Sequence, residues 1–268
     1  MAAGKDFSGF VVLVTGASTG LGRAIAVETA ERGAAAVIVN YASSSAEATE
    51  TARLVEIQGA QAILAQGDVA KDADCRRLAA AAEPFGRVDV LFNNAGVTKF
   101  ANNHADMDAV SAEDFLRLYG VNVVGAFQMI RAARTLLEAC KAPGAVVNTS
   151  SIAGVAGIGS SVPYAASKGA LNTMTISLAR ALAPKIRVNA LCPGFIDTPW
   201  FERGMDKEAL ERMRKGVAAS TPLQVASNAA DIAAAAVFLA SPGSRHITGE
   251  TLLVDAGTHL GYAPLTAR

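Results

Sequence analysis

An α/β fold, a doubly wound parallel sheet with helices on both faces, is what the sequence predicts. Three observations carry the prediction. Short β-branched runs alternate with longer alanine-rich helical stretches from end to end. The strand runs are nearly continuous in apolar residues rather than alternating, which marks strands buried on both faces. Right-handed crossovers between parallel strands then place the intervening helices on the two faces of the sheet. With 51% hydrophobic and 18% charged residues among 268, the chain can fill a large core and has little material for disorder. No linker, repeat or low-complexity segment divides it, so residues 1–268 are expected to form one domain.

The elements follow in order. FVVLVT (10–15) reads as the first strand and LGRAIAVETAERG (21–33) as a helix ended by Gly33. AAVIVN (35–40) is the second strand; SSAEATETARLVEIQG (44–59) is a helix with Ser44 or Ser45 as N-cap and Gly59 beyond its end. AILAQGDV (62–69) gives the third strand, DADCRRLAAAAEPFG (72–86) the next helix, and VDVLFNNAG (88–96) the fourth strand. After a polar loop (97–110), residues 111–140 form one long helical pattern opened by a capping box from Ser111 to Asp114. GAVVNTSS (144–151) is the fifth strand, VPYAASKGALNTMTISLARALA (162–183) a helix, and IRVNALCPG (186–194) the sixth strand. Residues 195–220 interrupt the alternation as a polar–apolar insertion, and ITGETLLVDAG (247–257) closes the chain with a turn and a last strand.

Composition excludes several classes of function. The formal net charge is zero and no long basic run compensates for it, so nucleic acid is not an expected partner. Cys75, Cys140 and Cys192 are far apart and in no metal-ligand spacing, which suits a reducing compartment. His104, His246 and His259 share no ligand spacing either, so no metal is expected. The start MAAGKDFSG lacks the apolar core of a signal peptide, and no run reaches transmembrane length. A cytoplasmic protein without a membrane partner is the expectation.

TGASTGLG (15–22) follows the first strand and opens the first helix, the context that a nucleotide phosphate site needs. Glycines let the backbone turn tightly and approach a pyrophosphate, and the helix N-terminus offers free N–H groups. The spacing Gly16, Gly20, Gly22 does not end in the Gly-Lys-Ser/Thr of an ATP-binding loop, so a dinucleotide is the better reading. At the end of the second strand stand Asn40, Tyr41, Ala42 and three serines from Ser43. No carboxylate there repels a ribose 2′-phosphate, and the amide and hydroxyls can donate to one. No arginine or lysine follows them to neutralise it. NADP(H) is therefore favoured, with NAD(H) as the alternative.

Several motifs then occur in order: TGASTGLG (15–22), NNAG (93–96), Asn122 in GVNVVGAF, Ser151 in NTSSIAG, YAASK (164–168) and PGFIDTPW (193–200). Together they resemble the short-chain dehydrogenase/reductase superfamily, in its shorter single-domain branch, with a likeness to 3-oxoacyl-(acyl carrier protein) reductases. The resemblance implies a Rossmann-type sheet with a nicotinamide cofactor at the carboxyl ends of the strands. By position, Tyr164 looks like the catalytic acid/base and Lys168 like the lysine that holds the cofactor. Ser151, 13 residues before Tyr164, looks like the serine that orients the carbonyl, although Ser150 has the same chemistry. Asn122 looks like the helix asparagine that holds a water in a proton relay. Gly16, Gly20 and Gly22, with Ser18 and Leu21 between them, match the phosphate loop; Asn40, Tyr41 and Ser43 would meet the adenosine ribose. Asp68 and Val69 resemble the adenine-contacting pair. Asn94, Ala95 and Gly96 would line the cofactor cleft, and Pro193, Gly194, Ile196 and Thr198 the side next to the nicotinamide. Thr19 stands where many NADP(H)-preferring relatives carry a basic residue. Relatives are often tetramers, so a homo-oligomer is implied, with the 111–140 helix as one interface.

Tyr164 and Lys168 share a helix face at i, i+4, which lets an ammonium favour a phenolate. Lowering a phenol from about 10 by about three units takes roughly 4 kcal/mol of differential stabilisation. Ser151 would donate to the substrate oxygen while Tyr164 gives or takes the proton. Pro163 fits the first turn of that helix, where its missing N–H is not needed. The expected function is interconversion of a secondary alcohol and a ketone, the small-molecule substrate being a 3-oxoacyl compound or a small cyclic ketone. The alternatives are an epimerase or dehydratase, and a catalytically silent dinucleotide-binding regulator. Trp200, Phe201 and Met205 read equally as an apolar lid over the substrate or as a partly buried helix.

Overall fold

The computed structural model describes residues 4–101, 103–202 and 206–261. Seven strands form one parallel sheet: β1 (Val11–Val14), β2 (Ala36–Tyr41), β3 (Gln61–Gln66), β4 (Val90–Asn93), β5 (Gly144–Thr149), β6 (Ile186–Pro193) and β7 (Thr251–Val254). Their spatial order is β3-β2-β1-β4-β5-β6-β7. Side chains alternate across a strand, and β1 shows the result directly. Val12 and Val14 enter the core on one face, Val11 and Leu13 the core on the other. This explains why the strand sequences carry no polar alternation. Only β3, at the sheet edge, exposes Gln61 and Gln66.

One face is covered by α1 (Gly20–Glu31), α2 (Ser45–Ile57) and α10 (Ala229–Ala240). The other carries α3 (Asp72–Ala80), α5 (Ala126–Glu138) and α7 (Val162–Leu182). After β3 the chain crosses to the far side of β1 to make β4. The loops leaving β1 and β4 therefore diverge and open a crevice at the carboxyl ends of these neighbouring strands.

Several expected elements change. The expected helix 72–86 stops at Ala80; a separate turn of 3₁₀ helix, Glu83–Phe85, carries Pro84 and ends on left-handed Gly86. The long pattern 111–140 divides into α4 (Ala112–Tyr119), a π-helical stretch Gly120–Gly125, and α5. Its capping box forms as expected: Asp114 N donates to Ser111 Oγ and Ser111 N to Asp114 Oδ2, each at 3.2 Å. A side chain at Gly125 would meet Val69 Cγ2 at 2.9 Å, so glycine lets the π stretch lie against the end of the β3 segment. Within the insertion lie α8 (Pro199–Glu202) and α9 (Lys207–Ser220), and α6 (Ala153–Ala156) follows β5.

No element was expected between 220 and 247, yet α10 is there. Its sequence, AADIAAAAVFLA, is apolar at nearly every position and so shows no helical period. Its signal is at the start. Asn228 Oδ1 accepts from Ala230 N and Asp231 N, and Asp231 Oδ2 accepts from Asn228 N, a complete capping box.

Candidate active site

A cleft of about 480 Å³ runs along the carboxyl ends of the strands, from the 16–21 loop to Trp200 and Phe201. At one end, Gly16, Ser18, Gly20 and Leu21 form the turn from β1 into α1. Thr19 precedes the helix in an extended conformation and gives no side-chain cap, so the first helical N–H groups stay free for an anion. Gly22 is required by packing: a Cβ there would lie 2.3 Å from Gly16 O and 2.5 Å from Asn94 Nδ2. Asn94 lines the cleft, but its amide braces the loop by donating to Thr15 O and Gly16 O, both at 3.1 Å.

Asn40 corrects an expectation. It is only 2% exposed, and its side chain is occupied. Oδ1 accepts from Gly16 N at 3.0 Å, while Nδ2 donates to Ala65 O at 3.1 Å and Gly67 O at 3.0 Å. An amide that ties three strand ends together has no hydrogen left for a 2′-phosphate. Tyr41, Ser43 and Ser44 do line this end, as do Asp68 and Val69. Sequence also missed a cation here. Arg23, on the first turn of α1, donates to Ser18 O at 2.7 Å, Glu47 O at 3.0 Å and Thr51 Oγ1 at 2.9 Å. None of these partners is charged, and Arg23 makes no ion pair among the described residues. Its signal was its place, one residue after the last loop glycine, where a search confined to the end of the second strand does not look.

At the other end, Lys168, Tyr164 and Ser151 converge. Lys168 is buried on α7 and donates from Nζ to Thr149 O at 2.7 Å; Nζ lies 5.7 Å from the centre of the Tyr164 ring. The N-terminus of α7 is set by Ser161, whose hydroxyl accepts from Tyr164 N, and by Pro163 in the first turn. The two serines separate. Ser150 donates its hydroxyl to Lys168 O at 3.0 Å and pins β5 to α7, whereas Ser151 Oγ accepts from Ala153 N and stands beside the phenol.

Burial pushes the Tyr164 phenol up to about 12, with the Ser151 hydroxyl pulling the other way. Burial also holds the Lys168 ammonium down to about 8. The expected lowering of Tyr164 by Lys168 is thus absent from this arrangement: burial sets the direction, and the ammonium is aimed at the Thr149 carbonyl. Asn122 lies in the π-helical stretch with its side chain fully bonded. Its Oδ1 accepts from Val97 N, and its Nδ2 donates to Val97 O and Ser167 Oγ. The side chain clamps the 96–97 turn to α7.

A family model described as enoyl-(acyl carrier protein) reductase matches residues 16–259. Ketoacyl reductase 2 assigned to the granaticin polyketide synthase of Streptomyces violaceoruber is 40% identical, over 93% of this chain and 96% of that protein. This chain is a short-chain dehydrogenase/reductase. Other relatives are the L-rhamnose 1-dehydrogenase (NAD(P)(+)) of a Sphingomonas strain, 37% identical over 96% of this chain and 98% of that one. Glucose 1-dehydrogenase 2 of Bacillus subtilis is 36% identical, over 96% and 97%. A crystal structure assigned as a short-chain dehydrogenase/reductase from Burkholderia xenovorans superposes with a TM-score of 0.86 at 39% identity, covering 95% of this chain and 99% of that one.

The residues fit the nicotinamide dinucleotide with which short-chain dehydrogenases/reductases work. Thr149 Oγ1 is buried in the cleft without a hydrogen-bond partner. A Cβ at Gly96 would sit 3.5 Å from Asn122 Oδ1 and 3.7 Å from Lys168 Nζ, so glycine keeps the approach to the lysine open. Ala95, Pro193, Gly194, Ile196 and Thr198 complete the walls. Of the apolar lid residues, Trp200 and Phe201 line the cleft; Met205 lies outside the described residues. His104 meets the Gly159 carbonyl, His259 meets Asp255 and His246 is exposed. No metal-ligating cluster occurs among the described residues, nor any helix long and apolar enough to cross a membrane.

Proposed function

We propose that this short-chain dehydrogenase/reductase interconverts a ketone and a secondary alcohol with NADP(H), using Tyr164 as acid/base. The convergence of Tyr164, Lys168 and Ser151 at one end of the cleft carries the reading, because the phosphate-binding turn lies at the other. When bound, the nicotinamide supplies or accepts the hydride at the carbinol carbon. Ser151 donates to the carbonyl oxygen and fixes its position. In reduction the Tyr164 phenol gives its proton to that oxygen as the carbon gains hydride, and the phenol is then reprotonated from solvent. Burial keeps Tyr164 in the protonated, proton-giving form near neutral pH, and Lys168 supplies positive charge as the phenolate develops. Asn122 and Ser150 position Lys168 and the loop beside it.

The preference for NADP(H) rests on the absence of a carboxylate at the end of β2 and on the hydroxyls of Ser43 and Ser44, with the charge of Arg23 held behind the 16–21 loop by Ser18 O. Glu47, at the start of α2, and Asp68 are carboxylates of this corner and oppose it. Fluorescence titration decides: NADPH should bind more tightly than NADH, and NADH binding about tenfold tighter or more would reverse the assignment. A panel of carbonyls and alcohols run with both cofactors tests the reaction itself. No turnover of any ketone or secondary alcohol would overturn it.

A homo-oligomer in the cytoplasm belongs to the same reading. Leu116 on α4 is 74% exposed, and Phe127 on α5 and Ile176 on α7 are exposed too, apolar side chains suited to a second copy of the chain. The three cysteines are free thiols, consistent with a reducing compartment.

A further inference from the structure

Two segments that leave different strands meet over the reaction end of the cleft. Phe100 comes from the loop after β4; Phe195 and Phe201 come from the segment after β6. Phe195 and Phe201 pack with ring centres 4.9 Å apart, and Phe100 and Phe201 at 6.5 Å, both tilted. Phe201 lines the cleft with Trp200, Pro199, Ile196 and Val97, so this wall is apolar from both sides.

Several polar side chains nearby are already engaged. Arg214 holds the carboxylate of Asp197 at 2.8 Å, Thr98 and Ser160 bond to each other, and His104 meets the Gly159 carbonyl at 3.1 Å. Thr198 Oγ1 turns to Ile196 O at 3.4 Å. Among the described residues, the side-chain hydroxyls left at this end are those of Ser151 and Tyr164, which the carbonyl being reduced uses, and that of Thr149, buried beside Lys168. A polyol entering this space would lose water from several hydroxyls and find few partners for them. An apolar ring would trade water for aromatic surface at no such cost.

We propose that this end of the cleft selects a bulky apolar ketone, cyclic or aryl, over a polyhydroxylated aldose, with Phe201 as a specificity-determining residue. Phe195 and Phe100 are positioning residues that hold the Phe201 ring. The proposal rests on the oxidoreductase reading and names its substrate class.

Trp200 is the chain's single tryptophan, is 36% exposed, and lines this same wall, so its emission reports binding without turnover. The protein loaded with NADP⁺ is titrated with trans-1-decalone, a saturated bicyclic ketone nearly transparent where tryptophan absorbs, and separately with D-glucose. Decalone should give a saturable change, and glucose none at about a hundredfold higher concentration. Phe201→Ala should weaken decalone about tenfold or more while its affinity for NADPH, the check on folding, stays unchanged. Phe195→Ala, remote from the ligand, should weaken decalone by less. Glucose binding as tightly as decalone, or decalone binding unchanged in Phe201→Ala, overturns the selectivity. Turnover is scored apart. Decalone that binds but is never reduced would count against the oxidoreductase reading alone, whereas reduction of acetone without decalone binding would count against the apolar wall alone.

Discussion

Burial drives Tyr164 and Lys168 towards their neutral forms, the phenol up to about 12 and the ammonium down to about 8. For Lys168 the folded value lies below the ordinary value of 10.5, so the unfolded chain binds the proton more tightly. Its contribution to stability is therefore fully present above pH 10.5 and is lost as pH falls through about 8. Lys168→Met has no ammonium to bury. In thermal melts without cofactor it should gain on the native protein as pH is lowered from 10.5 to 8; a Tm difference that stays flat across that window contradicts the account. Tyr164 has the opposite sign: its contribution is full below pH 10 and is lost only as pH rises through about 12. At this scale the sequence disclosed which residues gather in the cleft but not what each side chain does there. Ser150 and Ser151 are chemically identical neighbours, and only their directions separate them. Asn40 reads as a free donor until the ends of β2 and β3 and the 16–21 loop come together around it.

Elements hold these residues through a few close approaches. α6 lies against α7 with backbone touching backbone: a Cβ at Gly154 would meet Lys168 C at 2.5 Å and Gly169 N at 2.6 Å. Neither atom can swing aside, so Gly154→Ala should shift Lys168 and lower kcat more than it raises KM for NADPH. Steady-state kinetics check it, and native kcat in that variant would show the contact to be soft. β4, β5 and α7 are further tied by amides and a hydroxyl, Asn93 to Asn148 and Asn148 to Thr175, each at 2.9 Å. On the other face α10 depends on its start. Asn228→Ala removes the side-chain half of the capping box and should cost about 1 kcal/mol in urea unfolding; no measurable loss would mean the cap is idle. Strands and amphipathic helices were legible because burial imposes a period on them. The interior of α10 was not, since a helix apolar all round has none, and the π stretch was not, since the close approach of Gly125 to Val69 joins residues far apart in sequence.

Over the whole molecule, one seven-stranded sheet joins the first strand to the last, with cores on both of its faces. A chain built around one sheet should unfold in a single cooperative transition followed identically by far-ultraviolet circular dichroism and by Trp200 emission. Separate midpoints would divide it. The exposed apolar side chains of α4 and α5 make the companion prediction: Leu116→Glu with Phe127→Glu should reduce the mass seen by light scattering, and a native protein already monomeric would exclude the oligomer. The same topology opens the crevice between β1 and β4 and brings Tyr164, Lys168 and Ser151 into one cleft with the 16–21 loop. The claim that Tyr164 moves the proton is tested most directly by NADPH oxidation with a reducible ketone in Tyr164→Phe, the hydroxyl being the only group removed. Turnover should fall by about 10²–10⁴-fold while NADPH affinity holds. Turnover within a few-fold of the native rate would contradict it.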